Sequence, residues 1–422
     1  MKEWPLEDFT NKDVVFVGAG QGRSMSGFED FITKHGQINS FVGVDKREEA
    51  EPLGFLRTYN ADSTVFIKNE GIPGHEMPVP YVTPINIFFD CVKQLCARTV
   101  GITGTKGKST TASLTAAMIR TGGYDVRLAG NIGTSVFHDL DSATKDTVFV
   151  VELSSYQLSD IAYSPDIAAC INLYNDHSDW HGSLEAYWEA KHKILAHMTS
   201  DGLFVYNPQF PTLRSWAQKA PCRTEAIDPT DTVDLSKSLL YGNHNVLNAL
   251  VAQAIANGFN ISKKQCQEAI DTFKPLAHRM EFVGEKAGHI FIDDAIGMTP
   301  ESTIASLLAV GEKYGRIGCV LLGGQDRGYD FTVLFHLLKQ KEVPALVLFP
   351  DTIQKMRASL PDGYSPAVFE ANDMKSAVEW AHQSAPPDSV VLLSTAAPSY
   401  SLWKNGFEEK GRQFQENVIK IT

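Results

Sequence analysis

Residues 101–110 read Gly-Ile-Thr-Gly-Thr-Lys-Gly-Lys-Ser-Thr, and no other stretch of the chain restricts its fold so narrowly. A glycine-rich turn of this form lets backbone N–H groups point inward around a phosphate, where a side chain on the concave face would block the approach. Gly104, Thr105, Lys106 and Gly107 form the cradle, Lys108 brings a mobile charge to the β- and γ-phosphates, and the hydroxyl of Ser109 or Thr110 is placed to ligate Mg²⁺. The flanks agree. Thr99-Val100 closes an apolar run, and Thr111 to Arg120 has the composition of a helix whose N-terminus faces the phosphates. Ile102 stands where the strict motif carries Gly or Ala. The segment predicts a strand, a phosphate loop and a helix within an α/β nucleotide-binding fold.

A chain of 422 residues is long enough for two or three domains, each with its own core. Alternating apolar strands and helical stretches divide it into three α/β blocks, about residues 1–97, 98–277 and 278–422. The first opens with Asp13 to Val17, the turn Gly18-Ala-Gly-Gln-Gly22, and a strand from Phe41 that ends in Asp45. This is the plan of a Rossmann-like nucleotide site, although glycines needed only for a tight strand-to-helix turn explain it equally well. In the second block, Val148 to Val151 runs into Glu152-Leu-Ser-Ser-Tyr-Gln157, and Ile167 to Ile171 runs into Asn172-Leu-Tyr-Asn-Asp-His177. Ligands of open α/β sheets sit beyond the carboxyl ends of the strands, so these clusters are expected beside the phosphate loop. Glu152 is expected in the Walker-B role toward Mg²⁺; a lone histidine is more often a satisfied structural residue, but the place of His177 at a strand end beside Asp176 favours a ligand or positioning role. The third block repeats the pattern: strands end at Asp293-Asp294, at Gly323 to Arg327 and at Ser394 to Ser399, three ends expected along one edge.

A net charge of −12 and the lack of any basic stripe argue against nucleic-acid binding. An acidic chain that handles polyphosphate must gather positive charge locally, at Lys108, Arg279, Arg327 and Mg²⁺. No apolar run has the length of a membrane span, and Met-Lys-Glu-Trp-Pro-Leu-Glu-Asp lacks a signal peptide's apolar core, so a cytoplasmic protein is expected. The six cysteines show no Cys-x-x-Cys spacing and are expected as reduced, buried thiols.

Together the motifs resemble the Mur ligases of bacterial peptidoglycan synthesis over nearly the whole chain. The resemblance is carried by residues 101–110, Gly130-Asn-Ile-Gly133, Glu152 to Leu158, Asn175-Asp-His177, Ala186 to Lys191, Gly242-Asn-His-Asn245, His278-Arg-Met-Glu281, Leu322-Gly-Gly324, and Lys404-Asn405 with Glu408 to Gly411. It implies three domains: a Rossmann-like N-terminal domain for a UDP substrate, a central P-loop ATPase-like domain, and a C-terminal Rossmann-like domain for the incoming amino acid. It implies an ATP-dependent ligase, working through an acyl phosphate, that joins UDP-N-acetylmuramoyl-L-alanine and glutamate. By the same resemblance Lys191 is carbamylated and holds a second Mg²⁺ with His177, while Ser109 and Glu152 hold the first. A solvated helix lysine or a phosphate contact is the plain alternative for Lys191. Asn245, Arg279 and Asp294 are implied at adenine, phosphates and ribose. Asp45, Lys46, Arg47 and Asn131, again with His177, are implied at the UDP substrate, and Arg327, Ser399 and Phe407 at glutamate. A monomer with only small-molecule partners is expected.

The departures cluster at the glutamate end. The relatives' Asp-Ser-Lys-Ala-Thr-Asn becomes Asp294-Ala-Ile-Gly-Met-Thr-Pro300, so that Ile296 replaces a lysine and Met298 a threonine. Gly-Gly-Asp-Gly-Lys becomes Gly323-Gly-Gln-Asp-Arg327, in which a planar fork replaces a point charge, and Gly406 is inserted before Phe407. D-glutamate is the family default, and the altered donors fit the L-glutamate-adding branch nearly as well. Asn69-Glu-Gly-Ile72 likewise replaces Ser-Pro-Gly-Ile in the first block. Two rival readings are a folate-glutamate ligase, disfavoured by the separate N-terminal block, and a P-loop switch acting on a protein, which leaves Glu152, His177, Lys191 and Asp294 unexplained.

Overall fold

Parallel strands covered on both faces read as unbroken apolar runs, which is why Val148 to Val151 carries no alternation: its strand is buried at every position. The computed structural model describes residues 5–18, 24–47, 51–130, 132 and 135–421. Its first sheet is built from β1 (Asp13–Val17), β2 (Ser40–Val44) and β3 (Thr64–Lys68), all parallel in the order β2-β1-β3.

The second sheet comprises β4 (Arg98–Thr103), β5 (Asp125–Gly130), β6 (Thr147–Glu152), β7 (Ile167–Cys170), β8 (Leu203–Tyr206) and β9 (Arg223–Ala226). They are parallel throughout in the order β5-β6-β4-β7-β8-β9. The chain passes from β4 to one flank and later to the other, so the loop after β4 lies at the switch point where open α/β sheets form a crevice.

The third sheet has β10 (Glu281–Lys286), β11 (His289–Asp293), β12 (Ile317–Gly323), β13 (Ala345–Phe349), β14 (Ala367–Glu370) and β15 (Ser389–Leu393), in the order β10-β11-β15-β12-β13-β14. Only the β10–β11 pair is antiparallel. Neighbouring parallel strands β11, β15 and β12 bring together the three polar ends expected along one edge. Strand alternation splits their side chains between two cores, with Ile292, Val320 and Leu392 on one face and Phe291, Leu321 and Leu393 on the other.

The chain packs as two compact units, Met1–Lys237 with Leu247–Phe273, and Ser238–Val246 with Lys274–Thr422. Three sequence blocks thus give three sheets but two units. The first block and most of the second share one, residues 238–246 and 274–277 of the second going with the third, because they share a core: Phe28 and Phe31 from the first block pack on Phe137 from the second at 5.3 and 5.0 Å between ring centroids. Among the described residues no helix is long and apolar enough to cross a membrane. All six cysteines are free. Four are buried, but Cys96 is exposed at a helix end and Cys222 is only half-buried.

Candidate active site

The loop after β4 has the backbone that its sequence demands. Gly104 and Gly107 have φ of 152° and 82°, in the region that side chains disfavour. A Cβ on Gly107 would stand 2.3 Å from Asn248 Oδ1. The helix Lys108–Thr121 starts at once, with Gly107 as its N-cap. Asn172, beyond the end of β7, grips the loop: its Oδ1 accepts from the N–H groups of Thr105 and Lys106, both at 2.9 Å, and its Nδ2 donates to Lys106 O at 3.0 Å. Lys108 Nζ donates to Thr105 O at 3.0 Å, Lys106 pairs with Asp176 at 3.2 Å, and Ser109 is buried while Thr110 is half-buried. Burial alone would raise the Asp176 carboxyl, but Lys106 and His177 hold it below the usual range.

Glu152 ends β6 and is 2% exposed. It sits in register with Ile102 of β4 and Gly130 of β5, where a Cβ on Gly130 would meet Glu152 O at 2.1 Å. His177 follows at φ 50°, its Nδ1 2.8 Å from Tyr156 OH. Burial, helped by Lys108, Lys106 and Lys191 and opposed by Asp176, lowers its pKa and keeps the imidazole neutral. Lys191 lies on the helix Leu184–His192 and is 1% exposed, with Nζ donating to Gly104 O at 2.9 Å. Burial first, then the Lys108 ammonium, push it down from 10.5 to about 7. A buried amine so poised near neutral pH, and bonded to the phosphate loop, is a candidate functional group, since perturbed ionisable groups cluster at functional sites. Lys108, Glu152, His177 and Lys191 therefore belong to one neighbourhood.

In the second unit Asp294, at the end of β11, is 4% exposed and accepts from Met280 N at 3.2 Å, Ser306 Oγ at 2.6 Å and Ser394 Oγ at 2.8 Å. Burial raises it to about 6. Met298 and Ser399 meet at 4.0 Å, and Ile296 N donates to His278 O, so these segments form one cluster at the strand ends. Phe407 reaches the same cluster, its ring 6.4 Å from that of His278. Arg327 is exposed, held to Gln325 Oε1 at 3.4 Å. Asn245, near the start of the helix Asn243–Asn257, donates to Tyr241 O at 2.9 Å. Arg279 is half-buried between His278 and Met280, both in left-handed backbone. Among the described residues, one trio of His and acidic side chains brings ligand atoms within 4.8 Å of one another: His278, Glu281 and Asp293. Gln415 and their own hydrogen bonds already knit it together, at 2.7 to 3.0 Å.

Of the first-block candidates, Asp45 is exposed, Lys46 pairs with Glu76, and Arg47 lies 3.8 Å over the Phe55 ring. Asn131 lies outside the described residues, as do residues 19–22 of the glycine turn. Sequence reasoning passed over a cavity of about 350 Å³ whose walls include Gly74, Tyr81, Asp160, Trp180 and His181. The rings of Tyr156 and Tyr187 lie 5.1 and 5.9 Å from that of His177, Trp180 packs edge-on against Tyr156 at 4.8 Å, and His181 lies 5.4 Å from Tyr187. Burial lowers His181 to about 4, and its Nε2 sits 3.0 Å from Ser155 Oγ. The aromatic residues crowded between 174 and 188 were the available signal.

The family model described as Mur ligase middle domain matches residues 102–256, and that described as Mur ligase, glutamate ligase domain matches residues 278–397. The UDP-N-acetylmuramoylalanine--D-glutamate ligase of Ligilactobacillus salivarius is 30% identical over 92% of this chain and 88% of its own. The ligase of the same name from Natranaerobius thermophilus is 29% identical over 90% and 87%. In fold, the chain is similar to the MurF ligase of Thermotoga maritima solved in complex with ADP (TM-score 0.65, 16% identity, covering 100% of this chain and 99% of that one). It is equally similar to the UDP-N-acetylmuramate-alanine ligase MurC of Thermotoga maritima (TM-score 0.65, 19% identity, covering 97% and 100%).

Proposed function

We propose that this chain, which belongs to the Mur ligase family, joins glutamate to the alanyl carboxylate of UDP-N-acetylmuramoyl-L-alanine with the consumption of ATP. It is an ATP-dependent, ADP-forming amide ligase. The observation that carries the substrate reading beyond a generic nucleotide enzyme is Lys191, a buried amine bonded to the phosphate loop, for which a nucleotide switch has no use. In this reading residues 1–97 hold the UDP substrate, 98–277 ATP, and 278–422 glutamate.

The donor chemistry fits two Mg²⁺ ions. Glu152, a buried carboxylate, and the Ser109 hydroxyl would hold one. The Lys191 ammonium would repel a cation, but an amine with a pKa of about 7 is half neutral at that pH and takes up CO₂ as a carbamate, which with the neutral His177 imidazole would hold the other. Bound there, the ions would neutralise charge collecting on the γ-phosphate. The alanyl carboxylate attacks the γ-phosphorus and displaces ADP. The glutamate amine then attacks the acyl carbon, and the tetrahedral intermediate collapses to amide and inorganic phosphate. Each step concentrates negative charge, so Lys108 and the loop amides contribute more than a strong base would.

Purified protein with ATP and Mg²⁺ is expected to release phosphate only when both UDP-N-acetylmuramoyl-L-alanine and glutamate are present. Equal release without the acceptor would return the chain to the P-loop switch reading. D- and L-glutamate belong in parallel arms: the relatives are named for the D form, while Ile296, Met298 and Arg327 alter the donors expected around the amino acid and fit the L-glutamate-adding branch nearly as well.

A further inference from the structure

Lys68 is the last residue of β3 and has no exposed surface. A fully buried ammonium is costly unless every proton finds an acceptor. Here each does: Nζ meets Asp160 Oδ2 at 2.9 Å, Ile72 O at 2.6 Å and Asn69 O at 3.3 Å. The two carbonyls begin and end the loop Asn69–Ile72. Its remaining turn is held by Trp180 Nε1, which donates to Gly71 O at 3.0 Å, and by Gly71 N, which donates to Asn69 Oδ1 at 2.9 Å. Asp160 and Trp180 come from the second sequence block, so the loop of the first sheet is fastened to the segments that follow β6 and β7.

The other oxygen of Asp160 accepts from Tyr81 OH at 3.0 Å, and its backbone carbonyl accepts from Asn86 Nδ2 at 2.8 Å. Tyr81, Asp160 and Trp180 line the 350 Å³ cavity together with Gly74. A Cβ on Gly74 would stand 2.4 Å from Tyr81 OH and 3.1 Å from Asp160 Oδ1. On the other side, Gly18 closes on the same loop, where a Cβ would fall 2.9 Å from Asn69 Cβ and 3.0 Å from Ile72 Cδ1. The loop is thus pinned from both faces, and the ammonium at its centre is saturated and cannot itself reach a ligand.

We propose that the Lys68–Asp160 ion pair is a positioning device: it holds the Asn69–Ile72 loop and the Tyr81 wall in the shape that receives the nucleotide-sugar substrate, without touching that substrate. The inference rests on the ligase reading above. A neutral, internally satisfied pair at the carboxyl end of a parallel strand acts through geometry, not through attraction of an anion. Replacing Lys68 by a residue of similar length that cannot donate releases both loop carbonyls at once. Replacing Tyr81 by Phe removes one neutral hydrogen bond from the far oxygen of Asp160 and leaves the pair intact.

The test measures initial rates of phosphate release for wild type, Lys68→Met, Asp160→Asn and Tyr81→Phe, varying each substrate in turn. Lys68→Met is expected to raise KM for UDP-N-acetylmuramoyl-L-alanine by about tenfold or more, because misplacement by about an ångström costs that much, while KM for ATP stays within about twofold. Asp160→Asn is expected to act in the same direction, and Tyr81→Phe more weakly. If Lys68→Met folds poorly, the graded KM rise in Tyr81→Phe, which keeps the buried charge paired, carries the test. An unchanged KM for the UDP substrate in Lys68→Met, or tighter binding in Asp160→Asn from an unmasked ammonium, would overturn the proposal. A wild-type enzyme with no acceptor-dependent turnover would instead reject the ligase reading, so the two failures are distinct.

Discussion

Replacing Lys191 by Met separates the cost of this residue from its use. Its amine is 1% exposed and displaced from 10.5 to about 7. At pH 7 the unmodified folded state therefore carries a penalty of roughly 4 kcal/mol relative to the unfolded chain, the displacement being worth about 5 kcal/mol before partial neutralisation is counted. Methionine removes that penalty and keeps most of the packed length. It also deletes the 2.9 Å bond to Gly104 O, at a cost of about 1–3 kcal/mol for the orphaned carbonyl. The net expectation at pH 7 is a variant more stable than unmodified wild type by about 1–3 kcal/mol, yet without ligase turnover. The sign follows from proton counting. The folded pKa lies below the unfolded one, so between about pH 7 and 10.5 the unfolded chain binds more protons and wild type gains stability as pH rises. The variant lacks that slope, so its advantage is largest at pH 7 and below, shrinks as pH rises, and has reversed by pH 10.5, where the penalty is gone and only the deleted bond counts. Urea denaturation from pH 6 to 9 in CO₂-free buffer measures the slope, and coupled phosphate release measures turnover. A variant less stable than wild type at pH 7 with an identical pH slope would refute the desolvation reasoning. Undiminished turnover would remove the carbamate proposal.

Gly107→Ala forces a side chain into left-handed backbone 2.3 Å from Asn248 Oδ1, which also accepts from Thr111 Oγ1; a loss of about 2–3 kcal/mol is expected by denaturant melt, together with a sharp rise in KM for ATP. Arg327→Ala is expected to raise KM for glutamate by about 10- to 100-fold, the worth of a charge-assisted contact, and to leave the melting temperature unchanged because the side chain is exposed; steady-state kinetics read the first and thermal shift the second. Ile296→Lys with Met298→Thr restores the donors common in D-glutamate-adding relatives, and the ratio of D- to L-glutamate turnover is expected to move toward D by about tenfold or more; an unmoved ratio would place the stereochemical choice elsewhere.

Residues whose demands are local were legible in the chain itself. The phosphate loop announces itself because its glycines must reach φ values closed to other residues and because strand, turn and helix must follow in that order. Glu152, Asp294 and the ends of β12 and β15 were legible for a similar reason: an apolar run that stops at a polar cluster marks the carboxyl end of a buried parallel strand. Asn172 was visible as part of such a cluster, but its grip on two amides of the loop was not, since that depends on β4 and β7 lying side by side.

What only the tertiary structure decided was the environment of each charge. Lys68 is an ordinary lysine in a one-dimensional reading, and Lys191 stands out there only through the resemblance to the Mur ligases. Packing against segments far along the chain buries both completely, bonding one to Gly104 O and pairing the other with Asp160. The same packing joined the first sequence block and most of the second into one unit through a shared aromatic core, although composition and periodicity separate them. The order of motifs, and with it the kind of chemistry, was set by local backbone geometry and strand burial, which neighbouring residues encode. Which amine is poised, which is clamped and which loop is held were set by desolvation, a property of neighbours that sequence order does not contain.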